Sequence, residues 1–554
     1  MPSIILAILA LLFCASSALE LSLNNSCKEY CTSESIPLDG TSEKEDPPAT
    51  GVLSHTVASW IHQEYQFYMY LLDIFQTVLN EDLADYIESY LDLYEEQVLN
   101  SLFNWGTVLG QELDVTSVSK HPFLIFKMLR RLVLEYPDLQ KALSEEFPQN
   151  VPDFFDTLPR NEDLAEYTSL LVSLKYLSSF NISDFCRGTF GQIVTNISLS
   201  ASESLSLAQA AFNYQFYSSA LEFLVNAQDV ARDTGEFDPE NIENDLAWAV
   251  IEHDANWNTK NPLNYDFYTK KLGSVTNYLK NRGTFITKLN FLKSERSVYN
   301  HTGEVDNLWT NEQYQLLCSG RNFQTENQKR RLKCWYNFLP SGIFPYKMEL
   351  LNEDPRLLKI HEFLRPRMAI PLKKYLLKTG QETYAGFKGD EAIHAFQGRF
   401  LNKLSTYTRF DEDFENPQLV KELEREVSLI SNLDASASHS ELLHASSSLP
   451  GAVFGPHHDS HDDYETLFNF RLATMLIYLG DTIMGGRTAF YNLGLSVEPE
   501  PYSAILWDNR RKNCEVEVRN FHGGCPVILG DKWLSNKWII GSIQDRRCST
   551  NPLE

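Results

Sequence analysis

Two histidines, an aspartate and a lysine near the carboxyl end have the residue types of an iron site that takes a keto acid. His457 and Asp459 form a His-x-Asp pair, and His522 and Lys532 follow later in the chain. Two imidazoles and one carboxylate bind one face of an Fe(II) octahedron and leave three positions for other ligands. A keto acid that chelates iron needs a cation for its far carboxylate. The sequence therefore predicts that His457, Asp459 and His522 bind Fe(II) and that Lys532 binds 2-oxoglutarate.

The segments that carry these residues have further recognisable features. They are residues 455–459 (Gly-Pro-His-His-Asp), 471–479, 485–490 (Gly-Gly-Arg-Thr-Ala-Phe) and 522–538. In this order and spacing they resemble the catalytic domain of the collagen prolyl 4-hydroxylase α subunit. The resemblance covers nearly the whole mature chain and is strongest at the carboxyl end. It extends to residues 121–132, 314–336, 347–351 and 360–364.

The resemblance implies an enzyme that hydroxylates peptidyl proline at C4. Such an enzyme uses Fe(II), O₂ and 2-oxoglutarate, releases succinate and CO₂, and needs L-ascorbate to restore oxidised iron. The protein would supply ligation and orientation through the four residues above, with no further catalytic residue. The resemblance also implies a collagen-like, proline-rich peptide substrate, a protein disulfide isomerase β subunit as partner, and self-association of the α subunit.

Each site residue has an alternative interpretation. His461 and Asp463 form a second His-x-Asp pair, but the family pattern Pro-His-x-Asp selects the first pair. Zinc accepts His and Asp ligands as well, although zinc chemistry gives no reason for Lys532. A single histidine such as His522 is more often a buried core residue with its hydrogen bonds satisfied. The spacing between His522 and Lys532 matches the family and favours a metal ligand instead.

Three segments depart from the family pattern. An ungapped alignment puts Ser448 where the family has a tyrosine near the co-substrate. The loop from residue 457 to residue 471 is shorter, and residues 498–503 (Glu-Pro-Glu-Pro-Tyr-Ser) replace a basic segment. We expect these departures to affect co-substrate affinity and peptide preference, and not the metal ligands.

Length and charge limit the class of protein. A chain of 554 residues exceeds one hydrophobic core, so several domains are expected. A hydrophobic content of 43% with 12% aromatic residues is typical of a globular protein. The net charge is −26 and no Lys/Arg block occurs, which argues against a nucleic-acid partner because phosphate binding needs a concentrated basic face.

The amino terminus indicates the secretory pathway. The apolar run 4–13 and the small residues 16–18 are typical of a signal peptide over residues 1–18. The run is too short to span a bilayer, and the sequence offers no other candidate span. The end of the chain, residues 551–554, is not a retention signal. We therefore expect the lumen of the endoplasmic reticulum, with the isomerase partner providing retention.

Sequons and cysteines agree with that compartment. Removal of Cys14 leaves eight of the nine cysteines, an even number. By resemblance, Cys318 pairs with Cys334 and Cys525 pairs with Cys548, whereas the remaining four are unassigned: Cys27, Cys31, Cys186 and Cys514. Asn-x-Ser/Thr sequons predict glycosylation at Asn24, Asn181, Asn196 and Asn300.

The first half of the chain has helical periodicity. Apolar spacing between Val57 and Leu99 predicts two amphipathic helices with a break near Asn80, which an intramolecular bundle and self-association explain equally well. Four further helical runs predict two tetratricopeptide-like helix pairs, at residues 205–212, 217–231, 246–251 and 265–279. In the family such a domain binds proline-rich peptide, so Tyr214, Phe216 and Tyr217 are the predicted substrate ligands. Aromatic residues at helical spacing are also common in cores.

Short β-rich runs follow residue 347. Runs at residues 472–479, 504–507, 527–529 and 533–540 predict a double-stranded β-helix, which is a jelly-roll. Residues 525–530 and 532–538, around a Gly530-Asp531 turn, predict a hairpin that brings His522 and Lys532 onto adjacent strands. The predicted fold class is thus α+β and multidomain, with helical amino-terminal and tetratricopeptide-like domains before a jelly-roll catalytic domain.

The predicted domain boundaries follow the changes of periodicity and composition. They are a signal peptide (1–18), a flexible mature amino terminus (19–50), a helical dimerisation-type domain (51–190), a peptide-binding domain (191–290), a linker with Cys318 and Cys334 (291–346) and a dioxygenase domain (347–554). Two rival functions remain: hydroxylation of a non-collagen secreted peptide, and non-catalytic binding of proline-rich peptide. The intact ligand set and Lys532 favour an enzyme.

Overall fold

The computed structural model describes most of the chain. It covers residues 54–148, 151–213, 216–243, 245, 246, 249, 312–338, 345–382, 405–460 and 470–541. Several predictions fall outside these residues, namely the signal peptide, Cys27, Cys31, Asn24, Tyr214, the helix at 265–279 and part of that at 246–251, Asn300, His461, Asp463 and Cys548.

The amino-terminal part of the described chain is helical. Its helices are α1 (Ser54–Ile74), α2 (Glu81–Tyr94), α3 (Ser101–Leu109), α4 (Pro122–Arg130), α5 (Tyr136–Glu146), α6 (Asn161–Leu177), α7 (Ile182–Cys186), α8 (Ala201–Asn213) and α9 (Tyr217–Thr234). Single π turns continue α2 into α3 and α4 into α5 (Glu95–Asn100, Arg131–Glu135). One small hairpin is formed by β1 (Thr189–Phe190) and β2 (Ile193–Val194).

The predicted break near Asn80 is confirmed and has a local cause. The Asn80 side chain accepts a hydrogen bond from the backbone N–H of Leu83, which satisfies one of the free donors at the start of α2. Phe67 on α1 lies 5.5 Å from Tyr90 on α2, ring centroid to ring centroid, and both are buried. The apolar stripe of α1 thus packs within one intramolecular bundle.

The carboxyl-terminal part carries most of the strands. They are β3 (Cys334–Asn337), β4 (Tyr346–Asn352), β5 (Leu357–His361), β6 (Gln381–Glu382), β7 (Ser405–Arg409), β8 (His444–Ser448), β9 (Phe454–His457), β10 (Arg471–Tyr478), β11 (Met484–Gly485), β12 (Thr488–Phe490), β13 (Leu495–Val497), β14 (Ala504–Asp508), β15 (His522–Gly524), β16 (Val527–Leu529) and β17 (Lys532–Ile540). The helices of this part are α10 (Glu312–Cys318), α11 (Glu326–Lys329), α12 (Pro366–Thr379) and α13 (Pro417–Ser431). The predicted strand runs are confirmed, and the chain is of the α+β class.

The larger sheets pack against each other. One has the strand order β3-β4-β5-β14-β10-β17-β8-β7-β6 and another the order β13-β12-β15-β9. Met475 and Ile477 of β10 share a buried cluster with helices α12 and α13. Leu476 and Tyr478, on the opposite face of β10, share a cluster with Phe490 of β12. Because alternate residues of β10 are buried on both faces, its sequence is almost continuously apolar.

The predicted hairpin around Gly530-Asp531 is wrong. Strand β16 pairs with β11, whereas β17 pairs with β10 and β8. His522 lies on β15 of the four-stranded sheet and Lys532 lies on β17 of the nine-stranded sheet. The chain therefore crosses between sheets at this turn, and the two residues face each other across the interior instead of lying on neighbouring strands.

The disulfide pairing also differs from the prediction. Cys318, the last residue of α10, is bonded to Cys525, and their Cα atoms are 5.3 Å apart. Both Cys318–Cys334 and Cys525–Cys548 are therefore excluded in this structure, because α10 packs against β12 next to Cys525 while Cys334 lies exposed on the edge strand β3. Cys514 is disulfide-bonded and Cys186 is a buried free thiol.

Among the residues that the structure describes, no helix combines the length and the apolar character needed to cross a bilayer. Strand β3 lies within the predicted linker yet belongs to the nine-stranded sheet. The predicted domain boundaries stay predictions.

Candidate metal and co-substrate site

The two predicted histidine ligands lie side by side on neighbouring strands. His457 ends β9 and His522 begins β15, and the two are direct partners in the antiparallel register. Their ring centroids are 4.5 Å apart. Asp459 follows β9 by two residues, and one ligand atom from each of the three side chains lies within 4.8 Å of the others. The structure therefore brings together all three predicted metal ligands.

Backbone carbonyls orient both imidazole rings. The Nδ1 atom of His457 lies 2.7 Å from the Gly455 oxygen, and that of His522 lies 2.9 Å from the Asn520 oxygen. A carbonyl can only accept, so each Nδ1 carries a hydrogen, and in a neutral ring Nε2 then presents the lone pair. Burial, followed by the nearby His457, lowers the pKa of His522 to about 4. A neutral imidazole at physiological pH suits metal ligation.

Asp459 is a buried carboxylate with several stabilising neighbours. Burial alone would raise its pKa, but His522 and His457 hold the pKa of this carboxyl well below its usual range. The Thr474 hydroxyl donates to Asp459 Oδ2 over 2.5 Å, and the Asn509 amide donates to Thr474 Oγ1 over 2.8 Å. Arg471 donates to the Asp459 backbone oxygen over 3.3 Å. The Asp459 carboxylate is thus ionised and held by hydrogen bonds on its Thr474 side.

Lys532 reaches the same interior from the opposite sheet. A Cβ atom built on Gly524 would lie 3.6 Å from Lys532 Nζ. Gly524 and His522 project from the same side of β15, because alternate residues of a strand share a face. Lys532 is 5% exposed, and burial lowers its pKa to about 8. Within the described part of the chain no carboxylate pairs with its ammonium group.

A second buried lysine on β17, Lys537, has an ion-pair partner within the chain. Lys537 Nζ lies 2.7 Å from Glu424 Oε1 and donates to the Glu441 backbone oxygen over 2.8 Å. A buried charge is costly unless it is paired. Lys537 has its partner within the chain, whereas Lys532 points into the space beside the three predicted ligands. The arrangement suits an external anion at Lys532.

Ser448, aligned with a tyrosine of the family, lies on β8 next to Lys532. It is the direct cross-strand partner of Lys532, so the two side chains share a face. Its hydroxyl lies 2.8 Å from the Ser405 hydroxyl on β7. The other departure, residues 498–503, is engaged elsewhere: Glu500 pairs with Lys359 and Glu498 with Arg487, at 2.7 and 2.9 Å.

The predicted peptide ligands are not brought to this site. Of Tyr214, Phe216 and Tyr217, only the Phe216 side chain is described, and its ring lies 5.4 Å from that of Tyr176 on α6. It is half-buried and packs against the helical core. Among the predicted glycosylation sites, Asn196 is exposed and Asn181 caps helix α7.

Sequence reasoning missed Thr474 and Asn509. The signal that could have identified Thr474 is a hydroxyl within the otherwise apolar run of β10. Asn509 carries no such signal, because it follows β14 in a polar segment (Asp508 to Lys512) where asparagine is ordinary.

Comparisons with known proteins extend over most of the chain. No family model matches it. Human prolyl 4-hydroxylase subunit alpha-3 is 24% identical over 510 residues, which cover 85% of this chain and 91% of the relative. Prolyl 4-hydroxylase subunit alpha-2 of Caenorhabditis elegans is 26% identical over 451 residues, 76% of this chain and 80% of the relative. A solved viral collagen prolyl hydroxylase from Paramecium bursaria Chlorella virus-1, in complex with 2OG, is 22% identical with a TM-score of 0.26, over 33% of this chain and 95% of that one.

Proposed function

The chain is a homologue of prolyl 4-hydroxylase α subunits along most of its length, and from this premise we propose that it is a 2-oxoglutarate-dependent dioxygenase that hydroxylates peptidyl proline at C4. In balance, peptidyl proline, O₂ and 2-oxoglutarate give peptidyl 4-hydroxyproline, succinate and CO₂. The relatives are named as α subunits. By analogy with them, the proposed role is that of an α subunit with a procollagen-type substrate.

One observation supports the co-substrate above the others. Lys532 is a buried cation without a carboxylate partner in the described chain, and it faces the strand that carries His522. A second carboxylate at the far end of a bound keto acid would pair with it. Two imidazoles and one carboxylate suit Fe(II) with open positions. Zinc accepts the same ligands but leaves Lys532 unexplained.

The chain's own residues have separate tasks in this proposal. His457 and His522 would bind the iron through Nε2, and Asp459 through a carboxylate oxygen. Lys532 would fix the far carboxylate of 2-oxoglutarate, with Ser448 beside it. When bound, iron supplies the oxygen chemistry that couples decarboxylation to hydroxylation of a C–H bond. The buried walls around Trp507 and Phe490 would exclude water from that chemistry.

The finer assignments belong to the same proposal. We propose a jelly-roll arrangement for the two facing sheets and a tetratricopeptide-like arrangement for the helices that begin with α8 and α9. Tyr214, Phe216 and Tyr217 are candidates for binding proline-rich peptide. The proposal also includes the remaining expectations from the sequence resemblance: ascorbate, a protein disulfide isomerase β subunit, α-subunit self-association and residence in the endoplasmic reticulum lumen.

Turnover on a defined peptide tests the proposal. The chain would be co-expressed with the isomerase, purified, and incubated with a Pro-Pro-Gly repeat peptide, Fe(II), ascorbate and 2-oxoglutarate. We expect succinate and 4-hydroxyproline in equal amounts, and neither product from a His522→Ala variant made in parallel. Folded wild-type protein that binds the peptide but forms no succinate would contradict the enzyme and support the non-catalytic binder. Succinate formed with another secreted proline peptide, but not with this one, would change the substrate class.

A further inference from the structure

The carboxylate of Asp459 is held from behind by a chain of two polar side chains. Thr474 lies on β10, and its hydroxyl donates to Asp459 Oδ2 over 2.5 Å. Asn509 follows β14, the neighbouring strand, and its amide donates to Thr474 Oγ1 over 2.8 Å. All three side chains are buried, with exposed fractions of 7% for Asp459, 1% for Thr474 and 4% for Asn509. Solvent therefore cannot replace these hydrogen bonds.

The direction of both hydrogen bonds is fixed by chemistry. A carboxylate that binds a metal ion carries no proton and can only accept, so the single hydrogen of the Thr474 hydroxyl points to Asp459. The hydroxyl oxygen then has only lone pairs left for Asn509, which must present its amide nitrogen. The Asn509 backbone is held as well, since its N–H donates to the Leu472 oxygen and its oxygen accepts from the Glu517 N–H, both over 2.8 Å.

The role of Thr474 depends on its hydroxyl and not on its volume. Thr474 lies between Ala473 and Met475 in the apolar stretch 472–477 of β10, where valine would fill the same space. A buried hydroxyl without a hydrogen-bond partner is unfavourable because it has lost its hydrogen bonds to water. Thr474 avoids that cost only because Asp459 and Asn509 lie on either side of it. Carboxylates that bind metals are commonly oriented by such outer hydrogen bonds.

We propose that Thr474 and Asn509 are positioning residues for the metal, which act through Asp459 and never contact the ion. By fixing rotation about the Cβ–Cγ bond of Asp459, the Thr474 hydroxyl sets where the metal-facing oxygen lies relative to His457 and His522. Asn509 acts one bond further out by holding the hydroxyl in its donating orientation. The inference rests on the proposed metal site and assigns the two residues that set its affinity.

Metal titration separates this role from a purely structural one. The purified complex, freed of metal, would be titrated with Mn(II) by calorimetry, so that no turnover is needed. We expect Thr474→Val to weaken binding roughly 10–100-fold, as outer hydrogen bonds typically do. Thr474→Ser keeps the hydroxyl and should stay within a few-fold of wild type. Asn509→Leu should fall between the two variants.

The double variant gives the sharpest result. If the three residues form one chain, Asn509→Leu adds nothing once Thr474→Val has removed the hydroxyl, because the amide then has no route to Asp459. If the losses of Mn(II) affinity in the two single variants add fully in the double variant, the two residues act independently and the proposal is overturned. Thr408→Val is the matched control: this buried threonine of β7 bonds the Thr379 hydroxyl over 2.8 Å, away from the three ligands, and its removal should leave Mn(II) affinity unchanged.

Failure of this inference is distinguishable from failure of the proposed function. If wild-type protein binds no metal, the proposed site is wrong. If wild type binds Mn(II) and folded Thr474→Val binds it equally well, only the positioning role is wrong. Circular dichroism establishes folding. If Thr474→Val does not fold, the Mn(II) affinities of Thr474→Ser and Asn509→Leu test the positioning role instead. Weaker binding by Asn509→Leu than by Thr474→Ser supports that role, and equal affinities overturn it.

Discussion

The metal half and the co-substrate half of the site are supported by different parts of the molecule. The groups that orient His457, Asp459 and His522 lie in strands of the two packed sheets or in the short helical turn directly before β15, at Gly455, Thr474 and Asn520. The strands next to Lys532 instead rest on the amino-terminal helices. Tyr167 of α6 donates to the Pro450 oxygen over 3.2 Å, and the Gly530 N–H donates to the Lys120 oxygen over 2.7 Å.

Apolar packing gives the same division. Residues of the segment after β8 and of strand β16, which precedes Lys532, belong to the buried cluster of the helices, namely Leu449, Ala452, Val453, Ile528 and Leu529. The Ser54 hydroxyl of α1 also lies 2.6 Å from that of Ser447, the neighbour of Ser448. The metal half is therefore supported locally, whereas the position of Lys532 depends on the helical region. Perturbations of the two halves should therefore have distinguishable effects.

The largest effect is expected in the metal half. His457→Ala or His522→Ala should abolish turnover with little change in melting temperature, because the sheets and the Cys318–Cys525 bond do not depend on the ion. Turnover and thermal unfolding of the purified complex are the measurements. His461→Ala is the control for the choice of His-x-Asp pair. An inactive His461→Ala beside an active His457→Ala would move the site to the second pair.

The next effect belongs to the co-substrate half. Lys532→Ala should raise the 2-oxoglutarate concentration needed for half-maximal turnover by one to two decades, the equivalent of losing about 1.5–3 kcal/mol of charged hydrogen bonding. Lys532→Arg should raise it less, because the charge is kept but its shape changes.

Lys537→Ala is the matched control on the same strand. It breaks the buried pair with Glu424, so the melting temperature should fall while the 2-oxoglutarate requirement of the folded protein stays at the wild-type value. The comparison fails if both lysine variants change the 2-oxoglutarate requirement equally.

A gain of affinity is expected at Ser448. Ser448→Tyr would add a hydroxyl donor and an aromatic wall on the face of β8 that Lys532 shares. We expect tighter 2-oxoglutarate binding, by up to about one decade since the Ser405 contact is lost, and unchanged turnover at saturation. A 2-oxoglutarate titration of both forms with one peptide measures it. Equal or weaker affinity would show that position 448 does not contact the co-substrate.

The smallest effect tests the link between the regions. Tyr167→Phe removes only the hydrogen bond to the Pro450 oxygen, worth about 0.5–1.5 kcal/mol. We expect a few-fold higher 2-oxoglutarate requirement and an unchanged Mn(II) affinity. Tyr90→Phe, which removes a hydrogen bond to Glu64 inside the helical bundle, is the control for general destabilisation. The same rise in the requirement for both variants would rule out a specific link through Tyr167.

Sequence patterns predicted the elements better than their pairing. The Asn80 break, the β10 run and the β17 run were each readable, because capping and alternation are local properties. The hairpin at Gly530-Asp531 was wrong because a tight turn also occurs where a chain crosses from one sheet to another. Which sheet a strand joins depends on residues far away in sequence.

The site shows the same limit. His457, Asp459, His522 and Lys532 could be named because their chemistry is distinctive. The partner of Cys318 could not, because disulfide connectivity depends on where α10 packs. Asn509 has an ordinary sequence context, and only the three-dimensional register that places it behind Thr474 shows its role.

The most direct test of the account asks whether the metal and Lys532 hold the same molecule. Binding of 2-oxoglutarate to the purified complex would be measured by calorimetry without oxygen, with and without Fe(II). We predict much tighter binding with iron, the same reciprocal strengthening of iron binding by 2-oxoglutarate, and loss of that coupling in His522→Ala. Lys532→Ala should weaken binding while retaining the dependence on iron. Binding of 2-oxoglutarate that is equally tight with and without iron would contradict the account.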